Sequence, residues 1–410
     1  MLILHPQFQP SGLVISHKTF FALYPMVNRR LLRIKAFQTI YAFRTTERAN
    51  YQLAFDTIAD NFLPDLSLMI PKEAQMPKLE GLRKLAETHF EELFKKEVKE
   101  DQIPVEAKSA AKKALLLYNE AVKRDRQKLT TKMVEEVETI YEDYLKMLLL
   151  LVEITDIAVW DQQRRLVESE HQTARMGNNV VIKALRNLPA FELELIRHGI
   201  KWTDDDLNTI KKLFIEGILT DETFQAYLRA SEHTFEEDLA IVVYILKNYV
   251  LKHHLVVAYF EEKGLNWQEN KDVLKSLTTK TFKISAPEDL ALQPLAMNWE
   301  EDKGYFIDLF DNALNNDATY EGMVMEQTKN WEADRLAMTD MLILKLGLAE
   351  LINFSSIPTK VTINEFIEIA KNYSTPKSGQ FVNGLLDVLS QKLTKEGVIR
   401  KSGRGLIDNK

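Results

Sequence analysis

Cysteine is absent from the 410 residues, which removes disulfides, thiolate nucleophiles, zinc ribbons and iron–sulfur ligation together and leaves the compartment open on redox grounds. Helix breakers are scarce: there are 12 prolines and 14 glycines, and no proline lies between Pro104 and Pro189. Alternating β-branched runs joined by Asn-Gly or Asp-Gly turns are also missing, so the pattern predicts an all-α fold. Excess positive charge is lacking, with 53 Lys and Arg against 60 Asp and Glu; any affinity for nucleic acid must come from a local patch. Long uncharged apolar runs are missing as well. "MLLLLV" at 147–152 and the stretch 239–260 are ended or interrupted by Glu153, Lys247 and Lys252, short of the roughly 20 residues a membrane helix needs. The first 25 residues carry no basic leader and break their apolar runs at Pro6, Pro10 and Gly12. They make a poor signal peptide and read as a disordered extension or a start-site artefact, with Met26 as the working start; the location expected is cytoplasmic.

What is present is 45% hydrophobic and 28% charged, the balance of a folded chain of two or three domains. Residues 28–63 predict two helices ending before Pro64, and 64–77, with three prolines, a connecting loop. From 78 to 134, opposite charges recur at helical spacing, which predicts solvent-laced helices projecting as an insertion. A long helix over 135–175 follows, then helices at 180–198, 204–217, 221–231 and 235–262. The last opens on a capping box, Thr234 with Glu237. In 334–354 the residues Leu342, Ile343, Leu344, Leu346, Leu348 and Leu351 surround the axis, marking the helix on which others pack. Thr362 and Glu365 form a second capping-box pattern ahead of the stripe Ile363, Phe366, Ile367, Ala370 and Tyr373. Then Phe381, Leu385, Val388 and Leu389 point inward, with Gly384 permitting close approach. The domain boundaries expected are a 1–25 extension, N-terminal helices over 26–70, an inserted region over 71–175 and a C-terminal domain over 176–410 ending in a basic, mobile tail.

Chemistry-bearing motifs are few. The eight histidines are scattered; His253 and His254 are adjacent and would point about 100° apart on a helix, a poor metal pair. Glycine-rich phosphate loops and the motifs of zinc proteases or serine hydrolases are missing, so no catalytic or metal site is expected. The segment "NRRLLRIKAFQTIYAF" at 28–43 stands out. Arg29, Arg30 and Arg33 share an arc of about 100°, and Leu32, Ala36, Phe37, Ile40 and Phe43 overlap it further along. Cations at a helix N-terminus oppose the macrodipole. Two readings follow: an external anion docks there, or the face pairs with acids elsewhere in the fold. Across 28–48, Arg29, Arg30, Arg33, Lys35, Arg44 and Arg48 stand against Glu47, a footprint suited to phosphates.

"RRLLRIKAFQTIY", followed far downstream by "NWEADRLAMTDMLILKLGLAEL", "IPTKVTINEFIEIAK" and "SGQFVNGLLDVL", resembles the NusB family of bacterial transcription antitermination factors, in an expanded form. The resemblance implies a NusB-like helical bundle carrying a long helical insertion, without catalysis or cofactor. It implies binding of boxA-type single-stranded leader rRNA together with the small-subunit ribosomal protein called NusE, in the transcription elongation complex. Carried over residue by residue, Arg29, Arg30 and Arg33, with Lys35 in the same segment, would meet the RNA. Tyr41 would lie near both RNA and partner, Asp340 at the edge of the partner surface, and Phe381 beside Gln380 would stack on an unpaired base. Gln380 stands where many relatives have lysine, Lys377 where an acid is common, and Asn28 where a further arginine is possible, which bears on RNA sequence preference. One rival is an rRNA methyltransferase, which needs a glycine-rich loop after a strand that this chain lacks. The other is a helical interaction scaffold without direct RNA binding.

Overall fold

The computed structural model describes residues 27–67, 69–97, 103–164, 172–264, 266–328 and 336–409; the expectation for residues 1–25 and Met26 falls outside them. Among the described residues every regular element is helical. The two helices expected over 28–63 are one, α1 (Arg29–Asp60), because no glycine or proline interrupts it. Asn28 starts it, its side chain accepting from the Leu31 N–H at 3.0 Å. After α2 (Lys72–Lys95) comes α3 (Val105–Arg164), 60 residues without a breaker, about 90 Å long at 1.5 Å per residue. The helix start expected near 135 therefore does not exist.

Helices α1 and α3 run side by side through two hydrophobic clusters. The smaller joins Ala54 and Ile58 of α1 and Phe62 just beyond it, Ala86 and Phe90 of α2, and Ala107, Ala111, Ala114 and Tyr118 of α3. Its alanines let the three backbones approach closely, and the rings of Tyr51, Phe55 and Phe94 close its side. The second half of α1 thus belongs to the projecting arm. The larger cluster takes Leu31 to Ile40 of α1, Met133 to Ala158 of α3 and the helices that follow.

Pro189 splits the helix expected at 180–198 into α4 (Val180–Arg186) and α5 (Pro189–Arg197). Next come α6 (Asp204–Glu216), α7 (Glu222–Arg229) and α8 (Phe235–Ile245). The capping box at α8 is present: Thr234 Oγ accepts from the Glu237 N–H, and Glu237 accepts from the Thr234 N–H at 2.8 Å. A π turn, Leu246–Val250, ends α8, and the chain bends by 61° into α9 (His254–Lys263), so the single helix expected over 235–262 is two. No single helix among the described residues is long and apolar enough to cross a membrane.

The last six helices are α10 (Trp267–Thr281), α11 (Trp299–Asn315), α12 (Asp317–Gln327), α13 (Met338–Asn353), α14 (Thr359–Tyr373) and α15 (Ser378–Lys395). Helix α13 is the central post: all six apolar residues named for it are buried, and it meets α1, α11, α12, α14 and α15. The glycine that permits close approach is Gly347, where a Cβ would stand 3.0 Å from Leu386; Gly384, expected in that role, faces open space. On α15 the buried apolar side chains are Val382, Leu385, Leu386, Leu389 and Leu393; Phe381, half-buried, packs against the same core, while Val388, expected inward, is exposed. The C-terminal segment is folded back against the end of α13. Ile399 is buried, the Ser402 N–H donates to Ser355 O at 2.9 Å, and Gly405 lies where any Cβ would meet Ser355 O at 2.1 Å. The mobile tail expected there is docked over these residues.

Candidate nucleic-acid interface

The first turn of α1 holds arginines and no acid; its carboxylates arrive from helices some 300 residues away. Arg29 Nη2 lies 2.7 Å from Glu301, its Nε lies 3.4 Å from Asp302, and its guanidinium sits 4.7 Å over the Tyr305 ring. Arg30 forms a two-pronged pair with Glu365 at 2.8 and 2.9 Å, which raises its pKa. Arg33 is 3% exposed and grips Glu350, 0% exposed, through Nε at 2.7 Å and Nη2 at 2.8 Å. The remaining lone pairs of Glu350 are also used. Thr362 Oγ donates to it at 2.7 Å, and the Tyr305 hydroxyl donates to its other oxygen. Burial pushes the Glu350 carboxyl up, but the Arg33 charge and the donated hydrogen bonds outweigh burial and hold it below the usual range. Burial works against the charge on Arg33, yet Glu350 raises its pKa overall. Burial drives the Tyr305 hydroxyl well up.

The rest of the basic segment is similarly engaged. Lys35 is 0% exposed, its Nζ 3.6 Å from Glu136 without a hydrogen-bond partner; burial lowers its pKa against the pull of Glu136 and Glu269. Arg44 pairs with both Glu47 and Asp317 at 2.5 Å. Of the six cations between 28 and 48, Arg48 is the one with no ion pair among the described residues. This corrects the footprint read from the sequence. Pairing with acids elsewhere in the fold is the arrangement found, and direct phosphate contact by Arg33 and Lys35 is closed off because both are buried. The second capping box is also replaced: α14 begins earlier, at Thr359, leaving Thr362 and Glu365 to hold Glu350 and the arginines.

The other candidate residues lie on α1, α13 and α15. The Phe37 ring packs on Tyr373 with centroids 5.5 Å apart, and Tyr41, 44% exposed, stands one turn further along α1. Tyr373 ends α14, and the turn leading into α15 follows it. There Ser378 Oγ donates to Asp340 at 2.9 Å, and Thr339 hydrogen-bonds Ser374 at 2.8 Å. Asp340, expected at a partner's edge, is buried and holds this turn from beneath, with one oxygen unpartnered. Gln380 is exposed and Phe381 half-buried at the start of α15. Among the described residues no group of three or more His, Asp or Glu could hold a metal.

Fold and site define a class: an all-helical bundle whose first helix is clasped to the C-terminal helices by a buried arginine–glutamate pair, with an exposed tyrosine on that first helix and a polar turn leading into the last one. Residues 265–391 match the model of the NusB family, so the C-terminal part of the chain is a NusB-family domain, within a chain that extends well beyond it. The transcription antitermination protein NusB of Chloroherpeton thalassium is 49% identical over 74 residues, covering 18% of this chain and 35% of that protein. That of Salinibacter ruber is 48% identical over 73 residues, 18% of this chain and 46% of its own length. That of Natranaerobius thermophilus is 44% identical over 61 residues, 15% and 44% respectively. The chain thus spans less than half the length of the curated relatives it matches. No solved structure matches it. The matched range begins after α1, yet α1 is seated within it through Arg29, Arg30 and Arg33.

Proposed function

We propose that this chain is a non-catalytic, RNA-binding transcription antitermination factor of NusB type that takes boxA-type single-stranded leader rRNA together with the small-subunit ribosomal protein NusE, in the elongation complex of the cytoplasm. The observation that carries the reading is the Arg33–Glu350 clasp, which makes α1 and the NusB-family domain one bundle although some 200 residues separate them. On that bundle Tyr41, Gln380 and Phe381 offer a ring face, an amide and a second ring for an unpaired base. Tyr41 also serves the protein partner. Arg29, which also lies over the Tyr305 ring, and Arg30 are held in partly exposed pairs, and a phosphate can exchange these for its own. Arg33, Lys35 and Asp340 support the surface from inside.

Fluorescence anisotropy with a labelled boxA-type RNA, with and without the ribosomal protein, tests this. Replacing Tyr41 and Phe381 by alanine is expected to weaken binding by about tenfold or more, since each stacked base contributes about 1–3 kcal/mol. Replacing Arg29 and Arg30 is expected to lower the salt slope by about 1.4 for two single-strand phosphates. No binding by the wild-type chain with the partner present would remove the RNA reading. That result would favour the scaffold reading, which the neutralised arginines and the exposed apolar residues Leu63, Leu66 and Met69 of the arm also favour.

A further inference from the structure

A second basic feature lies on helices α8 and α10. Lys247, on the π turn that ends α8, faces Lys275, Lys280 and Lys283 across a groove of about 460 Å³, with Asp272 the one acid on its wall among the described residues. Ser276 also lines it, 7% exposed, and its hydroxyl has no hydrogen-bond partner. This is unusual for its own helix. Thr278 and Thr281 of α10 both donate back to the carbonyl four residues earlier, at 2.7 and 3.0 Å, whereas Ser276 does not. A buried hydroxyl without a partner is destabilising, a cost that an acceptor in the groove removes. Four ammonium groups and two hydroxyls, those of Ser276 and Thr279, suit phosphoryl oxygens. Among the described residues no aromatic ring lines the groove, so they offer nothing on which a base can stack.

We propose that this groove is a track for the phosphate backbone of the RNA, additional to the Tyr41 and Phe381 face; it rests on the RNA reading above. Helix α10 starts beside that face: Glu269 accepts from Tyr373 at 3.2 Å and from Gln38 at 3.3 Å. Seven and eleven residues on, Ser276 and Lys280 fall on the same side of α10 as Glu269, reaching about 16 Å along it. A strand leaving the face meets the groove by following one helix. Lysines are point charges on flexible stems, so the track holds any sequence alike, and sequence preference stays with the rings.

The test uses the full chain and two labelled RNAs of equal length, a boxA-type leader and its scrambled sequence, titrated across a salt series. Lys275→Ala/Lys280→Ala/Lys283→Ala is expected to weaken both RNAs by about tenfold or more and to lower the salt slope by about 2, from about 0.7 per phosphate, with the preference for leader retained. Lys247→Glu, on a different helix, is expected to reproduce the loss, which separates the effect from a local defect in α10. Asp272→Asn is expected to tighten both RNAs. An unchanged slope in both lysine variants, while the wild-type chain binds, overturns the groove and leaves the proposed function standing. Equal wild-type binding of leader and scrambled RNA, with the lysine effect intact, supports the groove and removes the boxA reading. Saturable binding of inorganic phosphate that requires these lysines, with RNA binding independent of them, overturns the backbone assignment in favour of a small anion.

Discussion

At the scale of single residues, the Arg33–Glu350 pair has the largest expected effect on stability. Removing one partner strands the other charge in the core, so Glu350→Ala is expected to cost about 3–5 kcal/mol, whereas Arg33→Met with Glu350→Leu is expected to be far milder. Chemical denaturation of the two variants measures the difference. A pH arm follows from the lowered pKa of Glu350. Its stabilising share is present above the unfolded carboxyl pKa of about 4.3 and is lost as pH falls through the folded one, so melting temperature should drop steeply below about pH 4 and less steeply in the double variant. Apolar residues were legible in the sequence: Leu32, Ala36, Phe37, Ile40 and Phe43 are all buried, as helical spacing requires. Charges were not, because spacing says nothing about a carboxylate 317 residues away. A basic helix start was consistent with an external polyanion and with internal acids, and only the packing of α11, α13 and α14 separates these.

At the scale of elements, two identical signatures behave differently. Thr234 and Glu237 cap α8, so Thr234→Ala is expected to cost about 1 kcal/mol, the usual loss of a cap. Thr362, although followed by Glu365 at the same spacing, sits one turn inside α14 and donates to Glu350. Thr362→Ala is therefore expected to cost about 1–3 kcal/mol and to raise the pH at which the protein becomes acid-labile, a shift that Thr234→Ala should not produce. Acid titration of the melting temperature for both variants checks this. Helix existence was readable for most elements, though α10, α11 and α12 were not read from the sequence. Ends and faces were less so: Pro189 and the π turn broke helices that apolar periodicity ran through, and on α15 Val388 is an apolar residue lying outside the buried stripe.

For the whole molecule, the arm can be separated from the bundle by its geometry. Asn50 of α1 donates to Asp125 of α3 at 2.7 Å, marking where the two helices leave the main core, and the smaller cluster lies wholly beyond that point. Replacing residues 51–124 by a short glycine–serine turn is expected to preserve the bundle, its helix content and the Arg33–Glu350 clasp, and to retain affinity for RNA. Circular dichroism and the binding assay together check this; loss of the folded state would show that the two clusters are one cooperative unit. The insertion was visible in the sequence as a run of paired charges, but its limits were not, since α1 and α3 pass through both clusters without a break that composition could register.

Helix α3 carries a geometric constraint on any remodelling of the chain. A rod of fixed pitch works as both ruler and protractor: each residue added between Tyr118 and Met133 pushes the arm about 1.5 Å outward and swings it by about 100° around the body. Only steps near whole numbers of turns, such as seven or eleven residues matched on α1, would lengthen the arm and keep it facing the same way.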